Sequence, residues 1–290
     1  MLLAALCFST MGAAAKLLKG SFNAGQLVFY RNAIGLLFLS VSLIRYPPKQ
    51  TGGKLPWLFF RGLMGTTALY TLLYCILHMP LGTAMTYNLT SSLFIALFGF
   101  IMFREYHGIQ VLFAVLLGFT GMLMIYKPGF SDSPWFYHFA GLVSGVTSAL
   151  AYLTVGRLAK YYDSRVIVLS FLLSGVILPG ISLILHYAGG ITDNGLFIIS
   201  FKWPENGMIW FYLLVLGLAA LFGQYFVTRA YGAEKPGLVS AIGYSNIIFS
   251  LIFGLLLGDA FPDLLSLLGI LCIISSGIMI SLQKRKTIQP

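Results

Sequence analysis

Two arginines sit inside stretches that are otherwise apolar enough to cross a bilayer. Arg31 lies about seven residues into the segment 24–44, roughly 10 Å deep at about 1.5 Å per residue. Arg61 lies about six residues into the segment 55–77. A charge at such depth is costly, so it faces a cavity or a partner, or its side chain snorkels back to the headgroups. Arg31 either lines a solute pathway or reaches the interface or a backbone carbonyl, and Arg61 has the shorter way out. No Asp or Glu falls in the middle of a span. A carboxylate or phosphate on a solute would supply the acceptor that a buried guanidinium needs, with backbone carbonyls at the helix ends as the structural alternative. The same absence removes the usual intramembrane proton carrier and favours facilitation or exchange.

Other polar groups share that depth. Asn88, Ser91 and Ser92 lie together in the segment 82–103, and Ser240, Tyr244, Ser245 and Asn246 occupy a comparable place in 237–258. Polar side chains inside a bilayer bond a neighbouring helix or line a pathway. Tyr30, Tyr74, Tyr152 and Gln224 add amphipathic side chains within spans, although many tyrosines simply belong to interfacial belts. The candidate substrate-binding set is Arg31, Tyr30, Asn88, Ser91, Ser92, Tyr74, Tyr152, Gln224, Tyr244 and Asn246. Nothing in it reads as catalytic. There is no GxSxG, no HExxH, no pair of carboxylates within the spans and no Ser/His/Asp set at one depth. His78, His107, His138 and His186 lie near span ends without metal-ligand spacing, so interfacial roles are expected and neither a metal nor a cofactor. Cys7, Cys75 and Cys272 read as small core residues. An intramembrane enzyme acting on a lipid or other amphipathic substrate is the alternative class. A channel would need charge rings or re-entrant loops, and neither is visible.

The elements that must position these residues are membrane helices. Hydrophobic residues make up 58% of the 290 and charged ones 9%, with a mean hydropathy of +0.89. Soluble domains carry about 25% charged residues, so this chain lacks the means to cover a water-facing surface. Ten apolar segments are long enough to span: 1–18, 24–44, 55–77, 82–103, 109–126, 136–157, 165–187, 208–229, 237–258 and 264–282. The opening MLLAALCFSTMGAAAKLL lacks the basic start of a signal peptide and is counted as a span. The net charge of +10 does not imply nucleic acid, because the basic residues sit at helix ends. With a cytoplasmic N-terminus, twelve of the eighteen fall inside and four (Lys16, Lys19, Lys127 and Lys202) outside, which places both termini in the cytoplasm of an inner-membrane protein.

The phrase running from Arg61 to Glu105 returns further on, ending at Asp259. A shift of 154 residues carries Glu105 onto Asp259, Ser91 onto Ser245 and Ser92 onto Asn246. Five spans precede the Pro/Gly-rich loop 127–135 and five follow it. Residues 1–127 and 128–290 therefore read as two five-helix repeats, and an odd number per copy inverts the second. The outside loop 189–207 reads as an interfacial helix, or a lid. The spacings Gly141/Gly145 and Gly254/Gly258 read as helix packing.

FYRNAIGLL (29–37), RGLMG (61–65) with LYCILHMPLGTAMTYNLTSSLF, and YFVTRAYGAEKPGLVSAIGYSNIIF ended by GLLLGD resemble the drug/metabolite transporter superfamily, in particular its ten-helix EamA-type branch. The resemblance implies an all-α integral membrane fold, an alternating-access carrier of a small molecule, and a cavity formed by helices 1–4 and 6–9. It also implies peripheral helices 5 and 10, often at a homodimer contact. One feature departs from the family. Its Pro in helix 4 is replaced here by Ser91-Ser92-Leu93, and by Ser245-Asn246-Ile247 in the second copy.

Overall fold

A computed structural model describes residues 1–48, 52–103, 109–126, 134–189, 200–233, 239 and 242–282. Arg104, Glu105, His107, Lys127, Lys235, Ser240 and the basic end Lys284 to Lys286 lie outside them, as does most of the loop 189–207. The described residues form eleven helices and no strand. They are α1 (Leu2–Leu17), α2 (Ala24–Arg45), α3 (Leu55–His78), α4 (Leu81–Leu89), α5 (Ser91–Phe103), α6 (Ile109–Tyr126), α7 (Trp135–Leu158), α8 (Ser164–Gly189), α9 (Gly207–Ala233), α10 (Ser245–Leu256) and α11 (Leu264–Leu282).

Nine of the expected segments are found, span 4 as two helices meeting at Thr90; of the segment 237–258 only residues 239 and 242–258 are described, and there a turn at Tyr244 precedes α10. Apolarity drives the chain into lipid, and local signals set where each helix begins and ends. Asn23 caps α2 through a reciprocal pair: its Oδ1 accepts from the Gln26 amide at 2.9 Å, and Gln26 Oε1 accepts from the Asn23 amide at 3.0 Å. α10 ends because Gly258 adopts φ +87°, a left-handed turn that favours glycine. The Gly258 amide then donates to Leu255 O and the Asp259 amide to Gly254 O. Of Gly254/Gly258, therefore, only Gly254 packs, against Leu81 of α4, and Gly258 is the helix terminus. Gly141 and Gly145 do pack: a Cβ at Gly141 would come within 2.6 Å of the Tyr87 ring, which lies on α4.

α2, α3, α7, α8 and α9 are each long and apolar enough to cross a membrane. Large apolar side chains such as Leu37, Ile44, Ile184 and Leu264 point outward, as a lipid-facing surface requires. α1, α2, α3, α7, α8 and α9 pack in contact around the interior, with α4 and α10 against α1. α6 and α11 pair with each other at the side. There Gly121 and Gly269 face each other so closely that a Cβ on either would come within 2.6 Å of the other's carbonyl oxygen. The peripheral place expected for helices 5 and 10 is theirs.

Candidate functional site

Thr90 is where the interior opens. Its backbone (φ −62°, ψ −11°) ends α4, and its carbonyl accepts from the Leu93 and Phe94 amides at 2.9 and 3.2 Å as α5 begins. Tyr244 (φ −63°, ψ −17°) precedes α10 in the same way, its carbonyl accepting from the Ile247 amide at 3.0 Å. Both breaks form without proline. Short polar side chains take over backbone groups nearby: Thr90 Oγ1 donates to Tyr87 O at 2.6 Å, Ser92 Oγ to Leu89 O at 3.0 Å and Ser245 Oγ to Ile242 O at 2.7 Å.

Between the breaks lies a cavity with about 910 Å³ of empty space, counting its open mouth. It runs from Met1, Tyr231 and Gly243 at one end to Met11, Leu72 and Met85 at depth. Of the ten sequence candidates, Arg31, Asn88, Ser91, Ser92, Tyr152, Gln224, Tyr244 and Asn246 line it. Tyr30 and Tyr74 do not. Tyr30 donates to Lys202 O at 2.6 Å and packs with Phe22 and Trp210. Tyr74 packs against His78, Phe136 and Tyr137. An amphipathic side chain within a span carries no mark of which helix face it occupies, so the sequence did not separate these two from Tyr152.

Most of the lining's polar groups are also engaged with protein. Asn88 Nδ2 donates to Ser144 Oγ at 3.0 Å and Ser148 Oγ at 2.9 Å, and Ser144 Oγ passes a hydrogen bond to Ala68 O. Asn246 Nδ2 donates to Ala5 O at 2.8 Å, and Ser92 is hydrogen bonded to the Tyr244 hydroxyl. These contacts stitch α1, α3, α4, α7 and α10 around the space.

The arginines differ. Arg31 and Arg61 are 2% and 1% exposed, so neither snorkels to the headgroups. Both guanidiniums lie over one ring, Phe171 of α8, at 4.9 and 5.2 Å from its centroid. Arg31 Nη1 donates to Asn32 Oδ1 at 2.9 Å, and Asn32 Nδ2 in turn holds Val28 O at 2.7 Å. Arg31 Nε, Arg61 Nε and Arg61 Nη1 are buried with no hydrogen-bond partner. Glycines make the room. A Cβ at Gly65 would come within 2.8 Å of Phe171 and collide with the Arg61 guanidinium, and a Cβ at Gly175 would collide with the Asn32 amide. No Asp or Glu lines the cavity among the described residues. Sequence reading singled out the two charges, but nothing in the sequence pointed to Phe171, an ordinary aromatic in an apolar run.

The described carboxylates serve the helix ends. Asp259 pairs with Lys16, while its other oxygen accepts from the Leu81 amide at 2.8 Å, and Lys16 Nζ also reaches Met79 O. This knot ties the end of α1 and the α3–α4 link to the end of α10, at the pole away from the cavity mouth. Asp163, at the opposite pole, accepts from the Arg165 side chain at 3.1 Å and from its amide at 2.8 Å. Burial pushes the Asp163 carboxyl up, but the Arg165 hydrogen bonds and charge outweigh it and hold it below its ordinary range. His138 is buried with its Nδ1 2.8 Å from the Tyr87 hydroxyl, so it is a core residue rather than an interfacial one.

Residues 1–127 match the EamA-like transporter family. Across 288 residues the chain is 32% identical to a transporter of Helicobacter pylori, covering 97% of this chain and 93% of that one. It is 29% identical over 283 residues to the pseudopaline exporter of Pseudomonas aeruginosa, covering 98% and 95%. It is 25% identical to mouse solute carrier family 35 member G1, covering 94% of this chain and 75% of the other. A solved crystal structure shares the fold with a TM-score of 0.67 at 16% identity, over 98% of this chain and 96% of its own.

Proposed function

The chain belongs to the EamA-like transporter family of the drug/metabolite transporter superfamily, and on that premise we propose that it carries a small polar or amphipathic metabolite bearing a carboxylate or other anionic group. Membership makes it a multi-pass membrane transporter of a small molecule, and not an enzyme. The anionic group is our reading, and one observation carries it: two fully buried arginines in the cavity wall keep unpaired N–H groups. A buried donor left unsatisfied is costly, and a guanidinium more so. A transported anion supplies the missing acceptor while it is bound.

Solute moves by alternating access between two inverted halves, residues 1–127 and 128–290, by facilitation or exchange. The matched breaks at Thr90 and Tyr244 support that division. Arg31, Asn88, Ser91, Ser92, Tyr152, Gln224, Tyr244 and Asn246 contact the solute. The lining reaches Met1, Tyr231 and Gly243, at the pole that the basic-residue count assigns to the cytoplasm of an inner-membrane protein, which supports loading from inside in this state.

Purified protein screened by thermal unfolding against a metabolite library identifies the ligand, because binding to the folded state raises the midpoint. Counterflow into liposomes then tests transport of the strongest hit. Carboxylates or phosphates should dominate the hits, and Arg31→Gln should weaken them at least tenfold. A hit list of purely cationic or neutral solutes overturns the anion reading.

A further inference from the structure

We infer that the cavity selects a dianion: a small solute with two negative charges, one answered by Arg31 and the other by Arg61. This deepens the anion reading above and rests on it. Both guanidiniums are within 2% of complete burial, both lie over Phe171, and both retain unanswered N–H groups. No carboxylate of the protein lines the space among the described residues. A monoanion satisfies one guanidinium and leaves the other as a net charge in a low-dielectric wall, repelled by its neighbour. A second negative group removes both penalties at once.

The two arginines are also held as separate receptors. Arg31 is steadied by Asn32 from α2, whose amide fits where α8 has only Gly175. Arg61 folds back over Gly65 of its own helix. Their charges therefore arrive from two helices on one aromatic platform. Around them Met11, Leu69, Leu72 and Met85 offer an apolar surface for a short carbon skeleton between the charged ends.

The test is thermal unfolding of the whole purified protein at pH 7.5 and fixed ionic strength. The probes are succinate, glutarate and methyl phosphate against the size-matched monoanions succinamate and butyrate. Dianions should bind at least tenfold tighter than the monoanions, as read from the concentration that gives half the shift. Phosphate monoester and dicarboxylate arms distinguish one compact dianionic group from two separated ones. Arg61→Gln should bring succinate down to the level of succinamate, while Arg61→Lys, which keeps the charge, should retain part of the preference. Succinamate matching succinate within twofold in the wild-type protein overturns the dianion inference and leaves the anion reading standing. A flat response to every anion overturns both.

Discussion

Thr90 and Tyr244 stand 154 positions apart, and each interrupts its helix with nearly the same backbone angles. The same shift relates Ser92 to Asn246, and the residue pairs interlock: Ser92 bonds the Tyr244 hydroxyl, while Asn246 reaches Ala5 O on α1. Each break brings side-chain donors to the centre, where an unbroken apolar helix would present none.

The knot at the pole opposite the cavity mouth should behave as a latch. Lys16 and Asp259 are each 14% exposed, so losing one charge should cost more than the ~1 kcal/mol of an exposed pair and change a conformational ratio by more than about fivefold. Asp259→Asn should raise labelling of a Cys placed at Leu72 by an impermeant thiol reagent added from the outer side. The background would lack Cys7, Cys75 and Cys272. Unchanged outer labelling, with intact labelling from the mouth side, rules the latch out.

Gly65→Ala should disturb the cavity more than its one carbon suggests. The added methyl meets Arg61 and Phe171, so overpacking should cost about 1–3 kcal/mol. Anion affinity should fall at least tenfold in the fraction that remains folded. Native affinity in a stable Gly65→Ala protein would show that the guanidinium does not need its present seat.

Gly277→Ala acts from the periphery. A methyl there collides with the Tyr244 phenol, which borders both α11 and the cavity. We expect a loss of about 1–3 kcal/mol and weaker ligand binding, partly rescued by trimming the ring in Tyr244→Leu. Calorimetry of the single and double variants checks it, and strict additivity would deny the contact.

Acid stability should depend on Asp163. A carboxyl held below its ordinary range in the folded state contributes stability above the unfolded pKa of about 3.9, lost as pH falls through the folded value. The gap in melting temperature between wild type and Asp163→Asn should be constant from about pH 5 to 7 and close below about 4. A gap that persists at the lowest pH would assign the effect to packing.

Much of the architecture was legible because lipid imposes it. Spans of about 20 apolar residues leave few other outcomes, and apart from 82–103 and 237–258 the segments match single helices within a few residues. The break in span 4 was not legible as such. It arises without proline, from the hydroxyls of Thr90 and Ser92 competing for backbone groups, and such side chains also occur in unbroken helices. Arg31 and Arg61 stood out because charge in a span is rare. Tyr30 and Tyr152 looked equivalent, yet one seals an aromatic cluster against Trp210 and the other lines the cavity. The faces that close contacts give their helices, such as Asn32 of α2 against Gly175 of α8 and Gly145 of α7 against Thr90, separate them.

The pair Arg31 and Arg61, with no carboxylate among the described residues of the cavity lining, also bears on membrane voltage. An empty cavity holds two positive charges within the electric field, and each feels about 2.3 kcal/mol per 100 mV if it traverses the whole potential. Rearrangements of the unloaded protein should therefore be voltage-sensitive. A solute with two negative charges cancels that moment, so the loaded step should run almost independently of potential. Currents from proteoliposomes would then appear when carriers return empty and vanish when solute is present on both sides.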